Sequence, residues 1–271
     1  MNGPIRIDLD GILRILHTGI TRADMFMGIG MNAAEHDPPI SHVLVPDTFH
    51  HITLVKEDLA PDEAKHVAEE YAKWTRASGL RKLLETFSVY LLEVYWVLDL
   101  IAQTEGMTQR PPSARFEKLG ISDQIKALNE ILPIPEDHRR VLRQLNQARN
   151  CYAHRRGVVG GNDIDSETGV FRLEWVALDV VAVFPDGTSI DGKDLKGVFF
   201  PKGGKITVRL AVHGRKFAFG EELVLSKQEL KEICLSIYLI GGAVWESLRN
   251  YCVDKGLLKY PPEPPGITGT L

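Results

Sequence analysis

The sequence predicts a mainly α-helical fold with a small antiparallel β-sheet inserted before the last helix. Three observations carry this. Apolar residues recur at helical spacing from Pro61 to about Leu132 and again after Glu136. Between Val170 and Phe219 the pattern changes to β-branched and aromatic runs separated by turn signals. At Ser226 a helical pattern returns. An antiparallel up-and-down helical bundle is the simplest packing of that order, with the β segment projecting between the last two long helices.

Three parts follow along the chain. Residues 1–60 form an N-terminal segment without an assignable fold of its own, packing on the bundle. It holds a short amphipathic piece, Asp8 to Ile20, then a stretch rich in Gly, Met and Pro that includes Met25, Gly28, Gly30 and Pro38. Short strands are expected around Val43–Val45 and Ile52–Val55. Residues 61–255 form the bundle, with the β insertion at about 157–225; residues 256–271 are a Pro-rich tail.

Within the bundle, Pro61-Asp62-Glu63 reads as a helix start, with acids beside the positive dipole end. That helix runs to about Thr104, broken at most at Ser78-Gly79. A third helical stretch spans Ser113 to Leu132 with a kink at Gly120, and Pro133 and Pro135 stop it. Glu136-Asp137 open the next helix. Turn signals at Pro185-Asp186-Gly187, Asp191-Gly192, Gly203-Gly204 and His213-Gly214 divide the β segment into roughly four strands. Ser226 followed by Glu229 forms a capping box for the last helix.

With 271 residues and 44% hydrophobic content the chain can bury a sizeable core. Its net charge of −4 argues against non-specific coating of nucleic acid. Any such contact must come from a local patch, and one exists. From His138 to Gly161 there are six arginines (139, 140, 143, 149, 155 and 156) and no acid. The three cysteines lack CxxC spacing, so neither a disulfide framework nor a zinc knuckle is expected, and a reducing, cytoplasmic setting fits. No secretory signal is read at the start, where Asp8 and Asp10 interrupt the early apolar run. The apolar run Ile233–Trp245 is too short to span a bilayer, so no membrane association is expected.

The most informative stretch is Arg149-Asn150-Cys151-Tyr152-Ala153-His154, at the end of an amphipathic helix that Arg155-Arg156-Gly157 closes. A permanent cation and a titratable imidazole held together can grip a phosphodiester while moving a proton. The plain alternative has Arg149 paired with a carboxylate such as Glu93 and His154 capping the helix end. Cys151 and Tyr152 read as packing residues.

These residues resemble the HEPN superfamily. The match is RNCYAHRRGVV, Arg149 to Val159: an Arg, a polar residue directly after it, then a His, at a helix end in a helical bundle. The resemblance covers about Pro61 to Lys255, with the β segment as an insertion. It implies a metal-independent endoribonuclease needing no cofactor, with Arg149, Asn150 and His154 as catalytic residues in a homodimer with a composite active site. In that mechanism His154 takes the 2′-OH proton, Arg149 stabilises the charge on the non-bridging oxygens, and Asn150 orients the Arg, the His or the phosphate. A toxin or defence setting with an inhibitory protein partner follows from the same resemblance. Members regulated by adenylylation carry Tyr two residues after the His; here Arg156 stands there, and that regulation is not expected.

Geometry sets a condition. Five helical steps turn the chain by about 500°, leaving the Arg149 and His154 directions about 140° apart. They converge if the helix ends between them or if a second copy supplies its own motif. Flanking cations Arg143, Arg155, Arg156, Lys202 and Lys205 are candidates for tracking an RNA backbone. His36, His42, His50 and His51 crowd the N-terminal segment without the spacing of a metal site, and no metal is expected. The alternative function is a non-catalytic HEPN-like module that binds RNA, a nucleotide or a protein.

Overall fold

The computed structural model describes residues 7–37, 40–42, 56, 58–106, 112–195, 197 and 203–258. Six helices and three strands follow in the order α1 (Leu9–Ala34), α2 (Pro61–Thr104), α3 (Ser113–Phe116), α4 (Ile121–Asn129), α5 (Glu136–Arg155), β1 (Val170–Val183), β2 (Ser189–Asp191), β3 (Lys205–Ala218) and α6 (Lys227–Asp254). The fold is a predominantly helical bundle with a small antiparallel sheet inserted before the last helix. No helix among the described residues is long and apolar enough to cross a membrane.

The N-terminal segment differs from the sequence expectation. The Gly- and Met-rich stretch after Ile20 does not leave the helix; α1 continues to Ala34. Two of its glycines, Gly19 and Gly30, sit where α1 and α2 touch. A Cβ at Gly19 would lie 1.8 Å from Thr86 Cγ2, and one at Gly30 would lie 2.6 Å from Thr75 Cγ2. Gly79 on α2 accommodates Met27 in the same way. The pairs run in opposite senses, so the two helices are antiparallel, and close approach offsets the helix-weakening cost of glycine. The expected strands around Val43–Val45 and Ile52–Val55 lie outside the described residues.

Helix α2 is continuous through Ser78-Gly79 over 44 residues, about 66 Å at the usual rise. Its start is held by the Glu63 carboxylate, which accepts from the Ala60 amide at 2.8 Å. The stretch after Pro112 is two helices, not one kinked helix, since Gly120 is extended and opens α4. Helix α6 begins at the expected capping box, Ser226 with Glu229. It returns antiparallel to α1, through Lys231–Asp24 and Trp245 Nε1 donating to the Leu9 carbonyl, and Tyr90 donates its hydroxyl to the Gly241 carbonyl. One core unites α1, α2, α4, α5, α6 and the inner part of the sheet through Leu16, Phe87, Leu98, Leu145, Phe171 and Ile237.

Three strands are described, in the order β2-β1-β3. β1 and β3 form a long antiparallel ladder from Val170↔Ala218 to Val183↔Lys205. The inner end of β1 presents its free edge to the helices, and side chains satisfy it. Gln144 on α5 accepts the Glu174 amide at 2.8 Å. Ser236 on α6 accepts the Val176 amide at 2.6 Å and donates to its carbonyl at 2.9 Å. The outer half of the ladder extends past the helices, leaving Ile206, Val208, Leu210 and Val212 exposed along one face of edge strand β3.

Candidate functional site

Helix α5 brings the motif to one end of the bundle. Val141, Leu142, Leu145, Ala148 and Cys151 bury its apolar face. Glu136 and Asp137 occupy the first turn, and His154 and Arg155 the last, each complementing the helix dipole. The helix stops at Arg156, which has the left-handed conformation at φ 55°. Gly157 follows at φ 83°, and its amide closes the end on the Cys151 carbonyl at 3.2 Å.

Past the helix, the chain runs beside the segment leading into α6. The Val159 amide donates to the Glu221 carbonyl at 2.9 Å, and the Leu223 amide to the Gly157 carbonyl at 2.8 Å. Tyr152 donates its hydroxyl to the Leu223 carbonyl, and burial pushes its ionisation well above the usual phenol range. Cys151 is fully buried with its thiol on the Val158 carbonyl, and burial pushes that thiol up to about 11. Both are packing residues, and a thiol held protonated is a poor nucleophile.

The arginines divide into two groups. Arg139 pairs with Glu136 at 2.5 Å, Arg140 with Asp137 at 2.7 Å and Glu174 at 3.0 Å, and Arg143 with Glu136 at 2.9 Å. Arg155 grips the buried Asp163 with two nitrogens, and Asp163 also accepts the Gly160 amide at 2.8 Å. These four are neutralised. Arg149 is not: among the described residues no carboxylate pairs with it, and its buried Nε has no partner. Its one hydrogen bond runs from Nη2 to the Asn146 Oδ1 at 2.6 Å. The Asn146 amide nitrogen in turn donates to Ser122 Oγ on α4 at 3.5 Å. The pairing with Glu93 considered from sequence is not formed.

His154 is exposed in the last turn, Asn150 is partly buried beside Arg149, and Arg156 is exposed with Glu70 of α2 in electrostatic reach. Since α5 continues to Arg155, Arg149 and His154 of one chain stay about 140° apart. Lys205 starts β3 at the outer end of the ladder, opposite Val183, whereas the motif lies near the inner end, where Val158 bridges Glu222. Thirteen residue steps along β3 separate Lys205 from Ala218, a distance of about 44 Å. The fold therefore does not bring Lys205 to the motif within one chain. Lys202 lies outside the described residues. So do His50 and His51, and among the described residues no group of three or more His, Cys, Asp or Glu could hold a metal ion.

Two polar arrangements escaped sequence reading. One is the Ser122–Asn146–Arg149 chain. The other joins the hairpin to α6: His213 sets Nε2 against Asp179 at 2.8 Å and Nδ1 against Glu232 at 3.2 Å, while Trp175 Nε1 donates to Glu232 at 2.6 Å. The hydrogen bond to Asp179, then that to Glu232, raises the His213 imidazole above its ordinary value; the same contact lowers Asp179. Neither arrangement has a spacing signature, because each depends on residues from separate elements.

No protein-family model, curated protein or solved structure matches the chain.

Proposed function

We propose that this chain is a metal-independent endoribonuclease of HEPN type, working as a homodimer in which the motifs of two copies face one cleft. The observation that carries the reading is Arg149. Where Arg139, Arg140, Arg143 and Arg155 are each tied to a carboxylate, Arg149 is tied to none, its buried Nε is unsatisfied, and an exposed imidazole follows five residues later. An unneutralised, partly desolvated guanidinium suits a phosphodiester, whose non-bridging oxygens match its planar donors.

In the proposed reaction His154 accepts the ribose 2′-OH proton as that oxygen attacks the adjacent phosphorus. Arg149 stabilises the charge that builds on the non-bridging oxygens. The bond from phosphorus to the 5′-oxygen breaks, that oxygen takes a proton from solvent, and the imidazolium returns to solvent the proton it took. The products are a 2′,3′-cyclic phosphate and a 5′-hydroxyl, and DNA, lacking the 2′-OH, is inert. In this reading Asn150, partly buried beside Arg149, and the exposed Arg156 orient the strand. Arg143 and Arg155 take part only through their folds' ion pairs, unless RNA displaces a carboxylate. The three free, buried cysteines support a reducing, cytoplasmic setting. A toxin or defence role with an inhibitory protein partner extends the reading.

The test is cleavage of structured RNAs in EDTA by wild type and His154→Ala, with end-group analysis. Cyclic-phosphate ends that disappear in the variant are expected. A dimeric wild type that binds RNA without cutting it establishes the second reading, a non-catalytic binding module. The divergence of Arg149 and His154 on one unbroken helix favours that reading wherever the chain stays monomeric.

A further inference from the structure

Helix α5 contains its own comparison for Arg149. Arg139 and Arg140 each have an acid three residues earlier, Glu136 and Asp137, and form ion pairs with it. Arg149 has Asn146 at the same spacing, bonded from Nη2 to Oδ1 at 2.6 Å. The geometry is that of its neighbours, but the acceptor is neutral. A carboxylate there would fix the guanidinium and cancel its charge. An amide fixes it and leaves the charge in place.

The amide is oriented as well as present. Asn146 Oδ1 faces the guanidinium because the guanidinium offers only donors, and its Nδ2 rests against Ser122 Oγ at 3.5 Å, in the first turn of α4. The flipped amide would point donors at donors. Residues from two helices thus set the rotation of one guanidinium, while its Nε remains buried and unsatisfied. Asn146 and Ser122 are partly buried, and neither contributes a charge.

We infer that Asn146, braced by Ser122, is the positioning residue for Arg149: it holds the guanidinium plane toward the phosphate while preserving its charge. This rests on the endoribonuclease reading for its consequence in catalysis, but not for the positioning itself. Asn146 does not touch substrate; it acts through Arg149.

The experiment compares full-length wild type with Asn146→Ala, Asn146→Asp and Ser122→Ala by two readouts. The first is ¹⁵N NMR of the Arg149 guanidinium, assigned with Arg149→Lys, which reports rotation about its Nε–Cζ bond without any RNA. The second is RNA cleavage in EDTA, with melting temperature as a control. Asn146→Ala is expected to speed guanidinium rotation and to lower kcat by about 10- to 100-fold with a smaller change in KM, the range for losing a supporting contact. Ser122→Ala shifts both readouts the same way by less. Asn146→Asp is the discriminating variant: it keeps rotation slow and melting unchanged or raised, yet cleaves more slowly because Arg149 becomes neutralised. Asn146→Asp with wild-type cleavage overturns the inference, as does Asn146→Ala with wild-type rotation. Slow rotation lost in Asn146→Ala, together with a wild type that never cleaves, retains the positioning and removes the endoribonuclease reading instead.

Discussion

At the scale of single residues, the end of α5 combines strain with exposure. Arg156 is the one non-glycine residue among those described with positive φ, and Gly157 directly after it is also left-handed. A β-carbon in that conformation costs on the order of 1 kcal/mol. Arg156→Gly is therefore expected to stabilise the fold by about 1 kcal/mol in chemical denaturation, while weakening RNA binding if the exposed cation meets the backbone. A loss of stability would mean that the side chain's reach toward Glu70 outweighs the strain. The motif itself was legible, because Arg, Asn and His at a helix end carry chemistry by type. Asn146 was not, since an asparagine within a polar helix face looks like any other until its partners are known. Nor was the fate of Arg155: only the turn at residues 160–163 shows that Asp163 claims it.

Among the elements, those with strong local signals were read closely. The Pro61 start of α2, the Glu136 start of α5 and the capping box of α6 all fall where the residues place them. The part of α1 beyond Ile20 is not legible because Gly28 and Gly30 lower helix propensity; what offsets Gly30, its close contact with Thr75, is tertiary. The β hairpin is joined to α6 by a clamp with a pH signature. His213 faces Asp179 on β1, Arg209 lies on β3 beside Asp179, and Glu232, Gln228 and Trp175 complete the group. A histidine whose folded pKa is raised contributes stability in full below its unfolded value near 6.5, and loses it as pH rises through the raised value. The lowered Asp179 contributes above its unfolded value and fails as pH falls through the folded one. The clamp is thus tightest between those limits. Hydrogen exchange in β3, corrected for intrinsic rates, should show protection declining as pH rises past the histidine range, and His213→Gln should flatten that decline. Identical pH profiles in the two proteins would sink the clamp.

For the whole molecule, bundle and insertion were legible because the change from helical to strand periodicity is abrupt at Val170 and reverses at Ser226. If one cleft takes Arg149 from one copy and His154 from another, mixing Arg149→Ala with His154→Ala chains should restore activity. Random exchange gives half mixed dimers, each with one of two sites intact, so about a quarter of wild-type activity is expected. Complementation absent from a mixture shown to exchange subunits would place both residues in one chain's site. A different consequence follows from the side chains that cap β1. Gln144 and Ser236 fasten the sheet by three hydrogen bonds at its inner end, and no helix adds a strand to it. The outer ladder is thereby released from the register of the bundle. Lengthening both strands by two residues keeps every side chain on its own face and leaves those three bonds untouched. The same helical body can carry hairpins of different reach, so natural variation in length should accumulate at the outer tip while residues 172–178 stay constant in number.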